Sequence, residues 1–110
     1  MKKINEFQEW LVAFYKERDW YDYNPYIRMG FLIEELGELS SAIRTVEIGR
    51  DRPDQPTRTK EENFDNLVEE MADVFSNLLI LADKYDISVE TMMQHNKNKL
   101  TERFKTNDNE

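Results

Sequence analysis

The chain has 110 residues, and its 23 acidic residues outnumber its 15 lysines and arginines, giving a formal net charge of −8. This length corresponds to one domain. The absence of cysteine excludes disulfides, thiolate nucleophiles, iron–sulfur clusters and cysteine-type zinc sites, and a single histidine, His95, excludes multi-histidine metal sites. What is left is carboxylate chemistry, alone or with a hard cation such as Mg²⁺ or Mn²⁺.

Charge and hydropathy also predict the partners and the location of the protein. The excess of negative charge argues against binding to DNA or RNA, whose backbones require clustered lysine and arginine. The first residues are polar rather than the apolar core of a signal peptide, and the longest apolar run, residues 78–82, is too short to span a membrane. We therefore expect a soluble, cytoplasmic protein with one domain over residues 1–110 and no membrane partner.

The first two predicted helices occupy the N-terminal half of the chain. Apolar residues at three- and four-residue spacing predict a helix over residues 5–18, with Asn5 and Gln8 as its capping box. The second helix is predicted to begin at Asn24-Pro25, a cap residue followed by a proline at the first helical position. It is predicted to end at Gly49.

Two further helices follow a loop over residues 49–58 that contains two prolines. Thr59 and Glu62 predict a second capping box and a helix to about residue 84, and Ser88 is predicted to cap a last helix over residues 89–104. The polar tail, residues 105–110, is expected to fray. With no strand-like alternation, the sequence predicts an all-α, four-helix bundle-like fold.

Two pairs of acids lie where apolar residues are expected. On a helical wheel of the second helix, Glu35 falls inside the apolar sector and Glu38 at its edge. The third helix is apolar on nearly all sides, yet Glu70, Asp73 and Asn77 form one polar stripe along it. If the two helices pack antiparallel, the four carboxylates converge in one pocket.

Converging acids repel one another and have raised pKa values unless a cation lies among them. A site made only of oxygen donors favours Mg²⁺ or Mn²⁺ over zinc, and Mg²⁺ bound by carboxylates keeps positions open for substrate phosphates. The residues alone therefore predict a metal-assisted phosphate reaction. The alternative is that both pairs are solvated surface charges. Four other acids lack an apolar setting and are interpreted as surface charges: Glu47, Glu61, Glu62 and Glu69.

The segments Glu34-Glu35-Leu36-Gly37-Glu38 and Glu70-Met71-Ala72-Asp73 resemble the EExxE…ExxD signature of MazG-type nucleotide pyrophosphohydrolases, in the all-α NTP pyrophosphatase superfamily. The resemblance implies a MazG-like fold and Mg²⁺-dependent hydrolysis of a nucleoside triphosphate to the monophosphate and pyrophosphate, in housecleaning of the nucleotide pool. It implies a metal site made of Glu35, Glu38, Glu70 and Asp73. Glu34 would assist this site, and either Glu34 or Glu35 would activate the attacking water.

Further residues are candidates for binding the substrate. Lys99 and Arg103 lie one turn apart on the last helix and would bind phosphates, where MazG-type proteins often carry lysine or arginine; the alternative is interaction with the helix dipole. Trp20 would stack on the base; the alternative is that its ring packs in the core. Asn77 would donate to sugar or base, or it is a satisfied buried amide.

Two features bear on assembly and on the limits of the resemblance. A third helix that is apolar on nearly all sides predicts self-association, as a homodimer first and a homotetramer second.

The segment between the two motifs is longer than is usual in the family. Its Arg50, Arg52 and Arg58 would cover the pocket, contact a neighbour or form plain surface. The competing function is a non-catalytic oligomerisation or regulatory module that retains the fold.

Overall fold

Four α-helices make up residues 2–105, the part of the chain that the computed structural model describes, and this part contains no strand. The helices are α1 (Lys2–Glu17), α2 (Pro25–Ile48), α3 (Lys60–Asp83) and α4 (Val89–Arg103). The predicted all-α class is therefore confirmed. The tail that we expected to fray lies, from residue 106 onward, outside the described residues.

Local capping determines most of the helix ends, as the sequence predicts. The side chain of Asn24 accepts a hydrogen bond from the backbone N–H three residues on, and Ser88 does the same for α4. Thr59 and Glu62 form a reciprocal capping box at the start of α3. Gly49 follows α2 with a φ of 75°, a left-handed conformation that favours glycine.

The predicted cap at Asn5 is wrong, because α1 begins three residues earlier, at Lys2. Gln8 is instead buried, and its Nε2 donates to the carbonyl oxygens of Leu79 (3.2 Å) and Ile87 (3.1 Å). Its Oε1 accepts from the backbone N–H of Val89 at 3.1 Å. The amide therefore joins α1 to the turn between α3 and α4, a tertiary role that the local spacing does not encode.

The apolar core lies where α1 meets α4 and the C-terminal half of α3. It contains Leu11 and Val12 of α1, Leu79 and Ile80 of α3, and Val89 of α4. Leu79 and Ile80 are completely buried. This cluster is the main hydrophobic stabilisation within one chain.

The helices α2 and α3 form an antiparallel hairpin that extends beyond this core. Arg28, early in α2, bonds to Asn77, late in α3, whereas Glu38 lies beside Glu70, nearer the start of α3. Within residues 2–105, α4 packs on α1 and has at most marginal contact with α2 and α3. The radius of gyration is 18.0 Å, against about 13 Å for a compact chain of this length. The four helices are therefore arranged more openly than in a closed bundle.

The hairpin leaves much apolar surface uncovered. Met71 is 50% exposed and Leu36 is 47% exposed. The same holds for other large apolar residues of α2 and α3: Ile33, Ile43, Phe64, Val68, Phe75 and Leu78. We expected α3 to be buried on most sides, and one chain alone buries only its C-terminal half. Among the described residues, no helix combines the length and the apolar character needed to cross a bilayer.

Candidate functional site

Three carboxylates converge where the middle of α2 faces α3, and we call Glu35, Glu38 and Glu70 the acid cluster. Each contributes a carboxylate oxygen, and these oxygens lie within 4.8 Å of one another. Glu35 and Glu38 are one turn apart on α2, so both side chains meet Glu70 across the hairpin. Asp73 is outside this group of oxygens and is exposed, although its charge still raises the pKa of Glu35. Three of the four predicted metal ligands are thus brought together, with Asp73 beside them.

The acid cluster has perturbed electrostatics. Burial, followed by the charge of Glu38, raises the pKa of Glu35 to about 7. Burial raises the pKa of Glu70, and partial loss of hydration raises that of the more exposed Asp73; the neighbouring charge of Glu38 adds to both shifts. Glu35, Glu70 and Asp73 are therefore harder to ionise here than they would be in water.

The cluster has the donors that a divalent cation needs. Glu35 Oε2 and Glu70 Oε2 are both buried, and neither has a hydrogen-bond partner among the described residues. Buried polar atoms are almost always paired, so unpartnered carboxylate oxygens require an explanation. A hard divalent cation would bind them and offset the mutual repulsion of the three charges. The donor set thus fits such an ion.

An aromatic pocket of about 260 Å³ adjoins the acid cluster and shares Glu35 with it. The loop between α1 and α2 contributes Trp20 and Tyr23, and the helices contribute the other residues. We call this the aromatic pocket, and its lining consists of Tyr15, Trp20, Tyr23, Arg28, Phe31, Glu35 and Asn77. Trp20 packs edge-on against Tyr15, with ring centroids 5.5 Å apart. Flat aromatic walls of this kind suit a planar ligand.

Arg28 lines the aromatic pocket and was not identified from the sequence. It is only 4% exposed, and it donates through Nη1 to Asn77 Oδ1 (3.0 Å) and through Nη2 to the carbonyl oxygen of Trp20 (2.6 Å). Its guanidinium faces the rings of Tyr15 and Phe31 at 5.2 and 5.3 Å. The available signal was spacing, because Arg28 precedes Glu35 by two turns and shares its face of α2.

The other predicted substrate-binding residues have different surroundings. Asn77 is buried and lines the aromatic pocket, but its Nδ2 already donates to the carbonyl oxygen of Asp73 (3.0 Å). Lys99 and Arg103 are exposed on α4, which makes at most marginal contact with the hairpin in the described part of one chain. Glu34 is exposed on α2, next to the acid cluster in sequence. The roles of these residues stay predictions.

The comparisons with known proteins identify the family of the chain. The family model of the MazG nucleotide pyrophosphohydrolase domain matches residues 26–107, which include the acid cluster, Asp73, Lys99 and Arg103. The chain belongs to the MazG nucleotide pyrophosphohydrolase family. Outside the matched range lie α1 and Trp20, so part of the aromatic pocket comes from the N-terminal segment of this MazG protein.

One relative of this MazG chain covers almost its whole length. It is "Uncharacterized protein YvdC" of Bacillus subtilis (strain 168), which is 47% identical over 102 residues, or 93% of this chain and 96% of the relative. No solved structure matches the chain significantly. The resemblance expected from the two acidic motifs is thus confirmed at the level of the family.

Proposed function

We propose that this protein is a Mg²⁺-dependent nucleoside triphosphate pyrophosphohydrolase that converts a ribo- or deoxyribonucleoside triphosphate to the monophosphate and pyrophosphate. The observation that carries the proposal is the pair of buried oxygens of Glu35 and Glu70 within the acid cluster, which have no hydrogen-bond partner in residues 2–105. The adjoining aromatic pocket supports it, since a nucleotide requires a planar site beside its phosphate site. Membership of the MazG family supports the reaction class.

The metal would be held by the acid cluster, with Asp73 completing the set that the family motif implies. When bound, Mg²⁺ would neutralise phosphate charge and favour ionisation of a nearby water. Mn²⁺ has similar ligand preferences and is expected to replace it. The raised pKa values of Glu35, Glu70 and Asp73 are expected to fall when this charge is offset, because the repulsion that raises them is then reduced.

The reaction itself requires little covalent participation by the protein. A water oxygen attacks the α-phosphorus, the bond from that phosphorus to the α–β bridging oxygen breaks, and pyrophosphate leaves with the bridging oxygen. The water proton passes to a carboxylate, for which Glu34 and Glu35 are the candidates. Glu35 has the more suitable position, because it lines the aromatic pocket that would hold the nucleoside, whereas Glu34 is exposed.

The nucleoside would occupy the aromatic pocket, with its base stacked on Trp20 or a neighbouring ring. Asn77 has one amide hydrogen left after its bond to Asp73, and we propose that this hydrogen serves the sugar or the base. Arg28 holds Asn77 and the Trp20 carbonyl in place, so it would position the two residues proposed to contact the nucleoside.

We also propose that the working form is a homo-oligomer, a dimer in the first instance and a tetramer in the second. Its support is the exposed apolar surface of the α2–α3 hairpin and the open arrangement of the helices. Because α4 packs mainly on α1 and not along the hairpin, the predicted phosphate-binding role of Lys99 and Arg103 depends on how a second copy is placed. Light scattering at micromolar concentration tests the assembly, and a monomer would contradict it.

The direct test is pyrophosphate release from a panel of ribo- and deoxyribonucleoside triphosphates, with Mg²⁺ and with EDTA. Turnover that requires the metal is expected for at least one substrate, together with a rise in melting temperature on adding Mg²⁺. Absence of turnover with every nucleotide and absence of any metal-induced shift would refute the proposal. That outcome would support a non-catalytic oligomerisation or regulatory module instead.

A further inference from the structure

The segment between α2 and α3, residues 49–59, is attached to the hairpin by its own polar contacts, and we call it the α2–α3 loop. Gln55 Nε2 donates to Thr45 Oγ1 on α2 at 3.1 Å, and Gln55 Oε1 accepts from the backbone N–H of Asp51 at 3.0 Å. Arg50 Nη1 donates to Thr57 Oγ1 at 3.0 Å, which connects the two limbs of the loop. These bonds hold the loop against the C-terminal part of α2.

Between this loop and the hairpin lies a pocket of about 270 Å³, which we call the loop pocket. Glu38 and Glu70 of the acid cluster form part of its lining, and Arg52 and Arg58 of the α2–α3 loop form another part. The loop pocket therefore combines the carboxylates of the candidate metal site with two guanidinium groups. Both arginines are exposed, and both line this pocket, so the expectations of a cover for the pocket, a contact with a neighbour and plain surface all stay open.

Both arginines of the loop pocket are available to a ligand. Among the described residues, the Arg58 side chain makes no ion pair and no hydrogen bond. Arg52 pairs only with Asp54, at 3.5 Å, and both side chains are largely exposed. Exposed pairs of this kind contribute little and exchange easily for a better anion. Guanidinium groups match the oxygens of phosphate in geometry as well as charge.

The acid cluster lies between the two pockets. Glu35 borders the aromatic pocket, whereas Glu38, one turn later on α2, borders the loop pocket together with Glu70. A nucleoside triphosphate has the same order of parts: the base and sugar at one end, the scissile α–β linkage in the middle, and the β- and γ-phosphates at the other end. If the nucleoside occupies the aromatic pocket, the β- and γ-phosphates extend toward the loop pocket.

We propose that Arg52 and Arg58 of the α2–α3 loop bind the β- and γ-phosphates, and hence the pyrophosphate product, in the loop pocket. This inference rests on the proposed function. The two guanidinium groups offset negative charge that Glu38 and Glu70 would otherwise repel. The loop thereby assigns a direction to the substrate along α2. It also favours triphosphates over monophosphates, because a monophosphate does not reach the loop pocket.

The test compares Arg52→Gln, Arg58→Gln and the double variant with Lys60→Gln, a control that removes one positive charge two residues from Arg58 and outside the loop pocket. Calorimetry with pyrophosphate in MgCl2 measures the site without requiring turnover. Each arginine variant is expected to weaken pyrophosphate binding by about 10-fold or more, since it removes a charged hydrogen bond. Lys60→Gln is expected to bind like the wild type, and Arg58→Lys to retain part of the affinity.

A kinetic measurement on the same variants separates this inference from the proposed function. In the double variant, KM for the triphosphate and the inhibition constant of pyrophosphate are expected to rise together, while the inhibition constant of the nucleoside monophosphate stays unchanged. If the wild type hydrolyses the triphosphate but the double variant binds pyrophosphate as tightly as the wild type, the role of the arginines is overturned and the proposed function stays intact. A wild type that binds no pyrophosphate would overturn it as well. Melting curves identify any variant that is misfolded, and Arg58→Lys then decides the result.

Discussion

The two halves of α3 affect the stability of the protein in opposite directions. In its C-terminal half, Leu79 and Ile80 are completely buried in the core with α1 and α4. In its N-terminal half, Glu70 has a buried oxygen with no hydrogen-bond partner among the described residues, and Met71 is half exposed. The first half stabilises the chain by burying apolar area, whereas the second holds charges together at a cost in free energy.

This difference indicates that the helix carries the fold and the candidate site in separate segments. Sites that bind ions or charged substrates commonly violate the rules of stable packing, and the rest of the fold compensates. Variants in one half should therefore change activity with little loss of stability, and variants in the other half should do the reverse. The first three predictions below test that separation, with Glu38 and Glu35, which meet Glu70 from α2, standing for the site, and Leu79 standing for the core.

The largest effect is expected in the acid cluster, on activity. Glu38→Gln removes a carboxylate that faces both Glu35 and Glu70, and we expect turnover to fall about 100- to 1,000-fold, as when one electrostatic contact to a transition state is lost. Pyrophosphate release in Mg²⁺ measures it, and urea unfolding should show a stability no lower than that of the wild type. Glu47→Gln, an exposed acid on the same helix, is the control. A Glu38→Gln protein with full activity would exclude the acid cluster as the site.

The next effect is expected in the core, on stability. Leu79→Ala leaves a cavity among side chains that cannot fully collapse, so we expect a loss of about 2–5 kcal/mol in the free energy of unfolding. Urea denaturation measures it. The adjacent Leu78 is 40% exposed, so Leu78→Ala should cost less in a dilute sample. If the two variants lose equal free energy whatever the protein concentration, the assignment of the core is wrong.

A smaller effect follows from the raised pKa of Glu35, and it depends on pH. Because folding raises this pKa to about 7, the stability contributed by the neutral carboxyl is fully present below the unfolded-state pKa and is lost as pH rises through 7. In EDTA, Glu35→Gln should therefore melt above the wild type at pH 8, and the two should converge at pH 4. We expect a difference of roughly 5 °C at pH 8, after allowing for the partial exposure of the group.

The same melting experiment is then repeated in Mg²⁺ instead of EDTA. At pH 8 the metal should raise the melting temperature of the wild type more than that of Glu35→Gln, because the variant lacks one of the proposed ligands. A difference between the two proteins that is the same at every pH and in Mg²⁺ would contradict both the titration and the metal site.

An effect of similar size on stability is expected at the start of α3, which belongs to neither half of the comparison. Thr59→Ala removes the capping hydrogen bond to the backbone N–H of Glu62, at a cost of about 1 kcal/mol. Thermal melts measure the loss, and Thr101→Ala, an exposed threonine inside α4, is the control. A large loss of activity in Thr59→Ala would indicate that the cap also holds the adjoining α2–α3 loop in place.

The sequence predicted the acid cluster better than the two pockets on either side of it. The spacing of Glu35, Glu38 and Glu70 predicted their convergence, because two antiparallel amphipathic helices leave few other arrangements. Arg28 was missed because its charge is typical of a surface residue, and only the packing of α1 and α3 buries it. The placement of Arg52 and Arg58 was left open for a similar reason, since bonds from Gln55 and Arg50 shape their loop.

The sequence by itself determined the helices and the two acidic motifs. The caps at Asn24, Thr59 and Ser88 act within three residues, so their signals are complete in the local sequence. Only the tertiary structure decided that Gln8 joins α1 to the α3–α4 turn, and that the acid cluster lies between an aromatic pocket and a pocket lined by arginines. These contacts join residues far apart in the chain, and they form only when whole helices pack, which no local pattern specifies.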